Sequence, residues 1–149
     1  MQFLDTSFLK SEEIFLQLDR TVDPADADRP DWLPAYHFRI CLPDGTEAGV
    51  CDLRVGHNES VYYGGNIGYR VHPQHRGHHY AGKACLLLFA LARRHGLTYL
   101  YITCNPENIP SRRTCEFAGG RLEAVVDLPP DNDMALRGEP RKCIYKFSL

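Results

Sequence analysis

The chain has 149 residues, of which 44% are hydrophobic, and its formal net charge is -2 at pH 7. This length and composition predict one soluble domain with a substantial core, covering residues 1–149. The small negative charge argues against a nucleic-acid partner and against a membrane surface, because both would favour a basic excess. No apolar run approaches the ~20 residues of a membrane span. Charges interrupt the N-terminal region, so we expect a cytoplasmic protein without a signal peptide.

Alternating apolar and polar residues predict strands, and apolar residues spaced by three or four predict helices. In chain order we predict strands over 14–22, 36–42, 47–55 and 67–72, a helix over 80–95, a strand over 97–104, a helix from 109 or 111 to 118, and strands over 121–128 and 142–147. The Pro43-Asp44-Gly45 turn makes a hairpin of the second and third strands. Loops are predicted over 23–34, 56–65 and 129–141.

The six cysteines, at 41, 51, 85, 104, 115 and 143, fall on predicted strands and helices without a Cys-x-x-Cys pair. This placement predicts reduced, buried thiols. Cys41 and Cys51 flank the hairpin turn, but a two-residue turn would set Cys41 opposite Ala48, which disfavours a disulfide between them.

The segment between the fourth strand and the following helix carries the first functional signal. Pro73 stops the strand and the helix begins at Tyr80, with a short loop between them. A helix start leaves backbone N–H groups unpaired and carries partial positive charge. Arg76 adds a cation there, and Gly77 allows a close backbone approach. The loop is therefore either a phosphate or pyrophosphate site or an ordinary turn.

A family resemblance rests on two blocks in this order. Arg76-Gly77-His78-His79-Tyr80-Ala81, preceded by Val71-His72-Pro73, resembles the acetyl-CoA loop of the GCN5-related N-acetyltransferases. The stretch 105–120 resembles the family's Asn-x-x-Ala/Ser helix, and the resemblance covers roughly residues 48 to 128. The chain departs from the family at His79, where Gly is usual, and at Gly120, where Phe is usual.

The resemblance implies a single α/β domain with a mixed sheet, whose parallel fourth and fifth strands splay apart at the centre. The family places one or two helices between its first two strands, whereas this chain has only a shortened, Pro- and Asp-rich stretch there. The acceptor side is then either unusually open or walled by the segments 56–65 and 129–141. The shortened stretch is otherwise only a surface connection.

The activity that the resemblance implies is transfer of an acetyl group from acetyl-CoA to a primary amine, on a small molecule or a protein N-terminus. The expected acetyl-CoA contacts come from the fourth strand, the loop and the start of the second block: Tyr69, Val71, Arg76, Gly77, His78, His79, Tyr80, Ala81, Asn105 and Asn108. Positioning of the reactants should dominate the catalysis. A homodimer is left open.

The amine must lose a proton, and the departing thiolate gains one. Asn66 stands where many family members have a Glu, so the base lies elsewhere or is a water in contact with a side chain; the first candidate is Asp52 and the second is His72. Asp52 is otherwise a charged residue on a solvated strand face. Cys115 aligns with the family's Tyr proton donor, although a buried structural cysteine is also consistent. These two replacements also support an alternative function, a catalytically silent acyl-CoA-binding domain.

Four histidines near the loop, at 72, 75, 78 and 79, raise the question of a metal site. No supporting cysteine or carboxylate spacing accompanies them, so we expect no metal.

Overall fold

Seven strands and four helices follow one another in the computed structural model, which describes residues 1–26, 28–29 and 31–149. They are β1 (Phe15–Val22), β2 (Ala35–Cys41), β3 (Glu47–Arg54), α1 (Glu59–Gly64), β4 (Ile67–Val71), α2 (Tyr80–Arg94), β5 (Tyr99–Cys104), α3 (Ile109–Phe117), β6 (Arg121–Asp127), α4 (Asp133–Leu136) and β7 (Arg141–Ser148). A 3-10 turn covers Pro73–His75.

The strands form two sheets. The first has the order β1-β2-β3-β4 and the second the order β5-β7-β6, and all the strand pairs are antiparallel. The predicted mixed α/β class is confirmed, and the strands divide into two sheets between β4 and β5. Among the described residues no ladder joins these two strands, and their parallel, splayed arrangement stays a prediction.

One hydrophobic core lies between the two sheets and α2. The buried side of α2 presents Ala84, Cys85, Leu88 and Leu91, all fully buried, as its three- and four-residue spacing predicts. Gly96, at φ +82°, follows the helix in the left-handed region, as expected of a residue that ends a helix.

Two short helices lie in segments that were predicted as loops. Asn58 caps α1, and its side chain accepts a hydrogen bond from the Val61 amide at 2.9 Å. Asn132 caps α4 in the same way. Local capping and one buried apolar residue, Val61, stabilise a turn of helix that is too short for a periodic pattern to reveal. The 23–34 prediction also covered Ala27 and Pro30, which lie outside the described residues.

The hairpin turn is wider than two residues, and Cys41 pairs with Glu47 instead of Ala48 because the register shifts at this position. All six cysteines are buried free thiols.

In the part of the chain that the structure describes, no helix is long and apolar enough to cross a membrane.

The fully buried Asn66 connects the two sheets. Its side-chain amide donates to the Arg54 carbonyl at 3.0 Å and to the Gly56 carbonyl at 2.8 Å. Its Oδ1 accepts from the Tyr101 amide at 3.0 Å, and its own amide donates to the Tyr101 carbonyl at 2.7 Å. One side chain therefore pairs backbone groups of β3, of the following loop and of β5.

Replacement of Asn66 by Ala should destabilise the protein by roughly 3 kcal/mol or more, because it leaves three backbone groups unpaired in the interior. Urea unfolding measures this change. Asn58→Ala is the matched control, since loss of a helix cap costs about 1 kcal/mol. Equal losses for the two variants would contradict the role assigned to Asn66.

The stability should also fall as the pH drops below about 6.5, the ordinary pKa of histidine. Burial lowers the pKa of His37, His57 and His95. The unfolded chain therefore binds more protons than the folded one as the pH falls, and folding is disfavoured. Urea midpoints at pH 7.5 and pH 5.5 test this, and His57→Gln should reduce the difference between them. Identical midpoints at both pH values would refute it.

Candidate functional site

The loop after β4 leaves the strand at Pro73 and enters α2 through two left-handed residues. Gly77 has φ +92°, and a Cβ on it would meet nothing within 4 Å, so its backbone is open to an approaching group. His79 has φ +60°, which a residue other than glycine rarely adopts. The Arg76 Nε donates to the Val71 carbonyl at 3.2 Å, so its guanidinium lies beside the end of β4.

His79 is held by a ring stack. Its imidazole lies on Phe117 of α3, with centroids 4.4 Å apart and planes 5° apart. Phe117 also packs on Gly82 in the first turn of α2, where a Cβ would collide with the ring. The start of α2 and the end of α3 are thereby fixed against each other.

One edge of β4 carries no partner strand among the described residues. Between β3 and β4, the Arg54 amide donates to the Asn66 carbonyl, and the His72 amide donates to the Ala48 carbonyl. Because hydrogen-bonded pairs alternate along an antiparallel ladder, the amides of Tyr69 and Val71 point away from β3. They are available as donors to a ligand.

These features surround a cleft of about 540 Å³, here named the arginine cleft. Its lining consists of Tyr69, Arg70, Val71, His75, Arg76, Gly77, His79, Tyr80, Ala81, Asn108, Pro110, Ser111, Arg113 and Thr114. It includes three arginines and no carboxylate among its described residues. A positive cleft with backbone donors and a glycine opening suits a phosphate-bearing ligand.

The structure brings together eight of the ten predicted cofactor residues in this cleft and leaves two outside it. His78 stacks on Tyr80 at 5.2 Å and does not line the cleft. Asn105 accepts a hydrogen bond from the buried Lys142 at 2.6 Å and donates to Glu139 at 3.3 Å, so its amide is already paired. Asn108, by contrast, lines the cleft and caps α3.

Sequence reasoning missed the cleft residues that α3 supplies. Arg113 and Thr114 line the cleft beside Ser111. The Ser-Arg-Arg-Thr run of the second block contained this signal, since an arginine one turn after the helix start is a suitable anion ligand.

Cys115 is fully buried, and burial is the main cause that raises the pKa of its thiol to about 12. Its Sγ lies 3.9 Å from the Tyr69 hydroxyl. That hydroxyl is 2.7 Å from the Ser111 Oγ, and both residues line the arginine cleft. Burial also raises the pKa of Tyr69, so its phenol is protonated at neutral pH. Tyr69 thus lies between Cys115 and the cleft.

Asp52 lies on the opposite side of the first sheet, in a second cleft of about 570 Å³, here named the outer cleft. Its lining consists of Asp19, Arg20, His37, Phe38, Arg39, Glu47, Val50, Cys51, Asp52, Gly68, Tyr69 and Arg70. The segments 56–65 and 129–141 contribute nothing to it among the described residues. Tyr69 and Arg70 line both clefts, so the two meet at β4.

His72 lines neither cleft among the described residues. Its Nε2 lies 2.6 Å from a carboxylate oxygen of Glu47. None of the described residues forms a group of three or more His, Cys, Asp or Glu side chains that could hold a metal ion.

Several solved structures share this fold at low sequence identity. A putative ribosomal-protein-serine acetyltransferase from Vibrio cholerae is 19% identical with a TM-score of 0.67, over 98% of this chain and 100% of that one. The microcin C7 self-immunity acetyltransferase MccE, solved with acetyl-CoA and AMP, is 23% identical with a TM-score of 0.61, over 77% of this chain and 61% of that one. RimJ from Mycobacterium smegmatis, solved with CoA-disulfide, is 22% identical with a TM-score of 0.60, over 83% of this chain and 56% of that one.

This chain therefore spans less than two thirds of the MccE and RimJ chains. At these identities the likeness shows the fold alone. No curated protein sequence matches the chain. Family membership is shown by the model of the acetyltransferase (GNAT) domain, which matches residues 11–121, well over half of the chain. The chain therefore belongs to the GNAT acetyltransferase family, which uses acetyl-CoA as its acetyl donor.

Proposed function

We propose that this chain is an N-acetyltransferase that transfers the acetyl group of acetyl-CoA to a primary amine, on a small molecule or a protein N-terminus. The arginine cleft carries the proposal, because it joins the free edge of β4 to a positively charged loop at the start of α2. The family membership supports the donor. A cytoplasmic location and a homodimer remain predictions.

Binding of the donor is assigned to the lining of the arginine cleft. The backbone amides of Tyr69 and Val71 would hold the pantetheine arm and the thioester carbonyl, as donors that point at a developing negative charge. Arg76 and the open Gly77 backbone would bind the pyrophosphate. Acetyl-CoA supplies an already activated acyl group, so the protein mainly has to hold the two reactants in line.

Proton donation to the departing thiolate is assigned to the Tyr69 and Ser111 hydroxyls. Both line the cleft and lie 2.7 Å apart, whereas the Cys115 thiol is fully buried behind them. The sequence-based candidate Cys115 is better explained as a core residue. For the base, Asp52 lines the outer cleft, where its Oδ1 accepts from the Gly68 amide at 3.1 Å and lies 3.7 Å from the Arg54 Nη1. His72 lines neither cleft among the described residues and is paired with Glu47.

A catalytically silent acyl-CoA-binding domain remains the second candidate. It is favoured by the amide of Asn66, which stands at the family's Glu position and is fully engaged in bonds between the sheets. This domain would bind acetyl-CoA in the same cleft without turnover.

Acetyl-CoA should bind the native chain, and a double variant Arg76→Ala/Gly77→Asp should bind it roughly 10- to 100-fold more weakly. The physical reason is the loss of a charge-assisted hydrogen bond together with a carboxylate placed against the phosphates. Isothermal titration calorimetry measures both affinities. Gly119→Asp/Arg121→Ala is the matched control, since Gly119 also has a positive φ and open space around it. A folded native chain that does not bind acetyl-CoA would exclude both proposed functions.

Tyr69→Phe should lower kcat by roughly 100-fold while leaving the acetyl-CoA affinity nearly unchanged, since it removes only the proposed acid. Cys115→Ala should lower the melting temperature and leave kcat within about two-fold, because it only opens a cavity in the core. Thiol release with an amine acceptor measures kcat. The reverse pattern, with Cys115 essential and Tyr69 dispensable, would return the role to the thiol.

A further inference from the structure

Arg70 lies on β4 at the place where the two clefts meet. It stands between Tyr69 and Val71, whose backbone amides are assigned to the donor, and it lines both clefts. Because successive side chains of a strand point to opposite faces, Tyr69 packs against the core and the exposed Arg70 belongs to the outer face of the sheet. Arg70 therefore presents a positive charge to the outer cleft beside the proposed thioester site.

The carboxylates of the outer cleft already have arginine partners. Among the described residues of its lining, Asp19 pairs with Arg20 at 3.0 Å, Glu47 with Arg39 at 3.6 Å, and Asp52 with Arg54 at 3.7 Å. Arg70 is the arginine of this lining that forms no ion pair with any described residue. The arginine cleft offers it no carboxylate either. Its charge is therefore uncompensated on both sides of β4.

The positions around Arg70 are small, uncharged or already engaged. Val50 lies directly across from it on β3. Along the same face, Gly68 has no side chain, and the His72 imidazole is paired with a carboxylate at 2.6 Å. Beyond Val50 the register places Arg39 on β2, about 10 Å from Arg70 between Cα atoms. The floor beside Arg70 is thus low and open, with positive charge at both of its ends.

This arrangement suits an anionic group of a ligand. A guanidinium group without a partner in its own protein can bind a carboxylate or a phosphate through two parallel hydrogen bonds. The nearest carboxylate on the same face is Asp52, which lies opposite Gly68 and hence about 7 Å along the sheet from Arg70. A molecule with an ammonium group and an anionic group a few bonds apart complements both charges.

We propose that Arg70 determines the acceptor specificity, and that the acceptor is a small zwitterionic amine whose carboxylate or phosphate group binds Arg70 in the outer cleft. This inference rests on the proposed acetyltransferase function and narrows its acceptor. A protein N-terminus is then a poor acceptor, because the carboxyl group of its first residue is bound in a peptide bond and carries no charge.

The test compares acceptors that differ only in the anionic group, with acetyl-CoA as donor and thiol release as the readout. The probes are pooled α-amino acids against their pooled α-amides, and O-phosphoethanolamine against ethanolamine. A serine-initiated pentapeptide represents a protein N-terminus. Rates at low acceptor concentration report kcat/KM. For the native chain we expect the anionic member of at least one pair to react roughly 10-fold faster or more, because it gains charge-assisted hydrogen bonds. The pair with the larger ratio identifies carboxylate or phosphate as the anion.

Arg70→Gln should bring this ratio close to one, and Arg70→Lys should retain part of it because the charge remains. Arg20→Gln is the matched control, since Arg20 is an exposed arginine of the same cleft that is already paired with Asp19. It should keep the native ratio. Each ratio is taken within one variant, so any change in acetyl-CoA affinity cancels. Melting temperatures establish that each variant is folded, and Arg70→Met replaces Arg70→Gln if the latter is not.

The outcomes separate this inference from the function on which it rests. A native ratio near one, or a pentapeptide that reacts faster than the anionic probes, would overturn it and leave the acetyltransferase proposal standing. A ratio that Arg70→Gln retains would also overturn it, and weaker acetyl-CoA binding by that variant would then assign Arg70 to the donor. Acetyl-CoA binding without turnover of any amine would favour the silent binding domain and overturn both.

Discussion

The hydrogen bonds of the Asn66 amide hold the two sheets of this protein in one arrangement. A buried primary amide has two donors and one acceptor to satisfy, and here the partners are backbone groups of β3, of the following loop and of β5. Because each unpaired group would carry a desolvation cost, these partners fix where β4 begins relative to β5. The core residues then pack between two sheets whose relative position these hydrogen bonds have fixed.

The functional surfaces follow from that junction. Since β4 has no partner strand beyond Asn66 among the described residues, one of its edges remains open to a ligand. The adjoining loop and α3 complete the arginine cleft on this side, and the outer cleft lies on the other. A Glu at position 66 would carry a charge into a buried site, whereas the neutral amide of Asn66 satisfies the backbone groups of the junction.

Features that depend on local sequence could be predicted, and features that depend on register could not. The helix after Tyr80 and the Arg76 loop follow from periodicity and from turn residues, and the structure contains both. The α1 helix was not predicted because a six-residue segment shows no periodic pattern, although its capping residue, Asn58, is a typical helix N-cap in the sequence. The register that sets His37 opposite Asp52, and the pairing of Asn105 with Lys142, arise between segments distant along the chain. No spacing rule applies to such contacts.

The ring stack of His79 on Phe117 affects the entropy of binding. Because this stack and the contact of Phe117 with Gly82 pack α2 against α3, we expect these two walls of the arginine cleft to rearrange little when a ligand binds. A preorganised site loses little conformational freedom on association, so more of the contact energy is expressed as affinity. The left-handed backbone of His79 is the conformational strain that accompanies this rigidity.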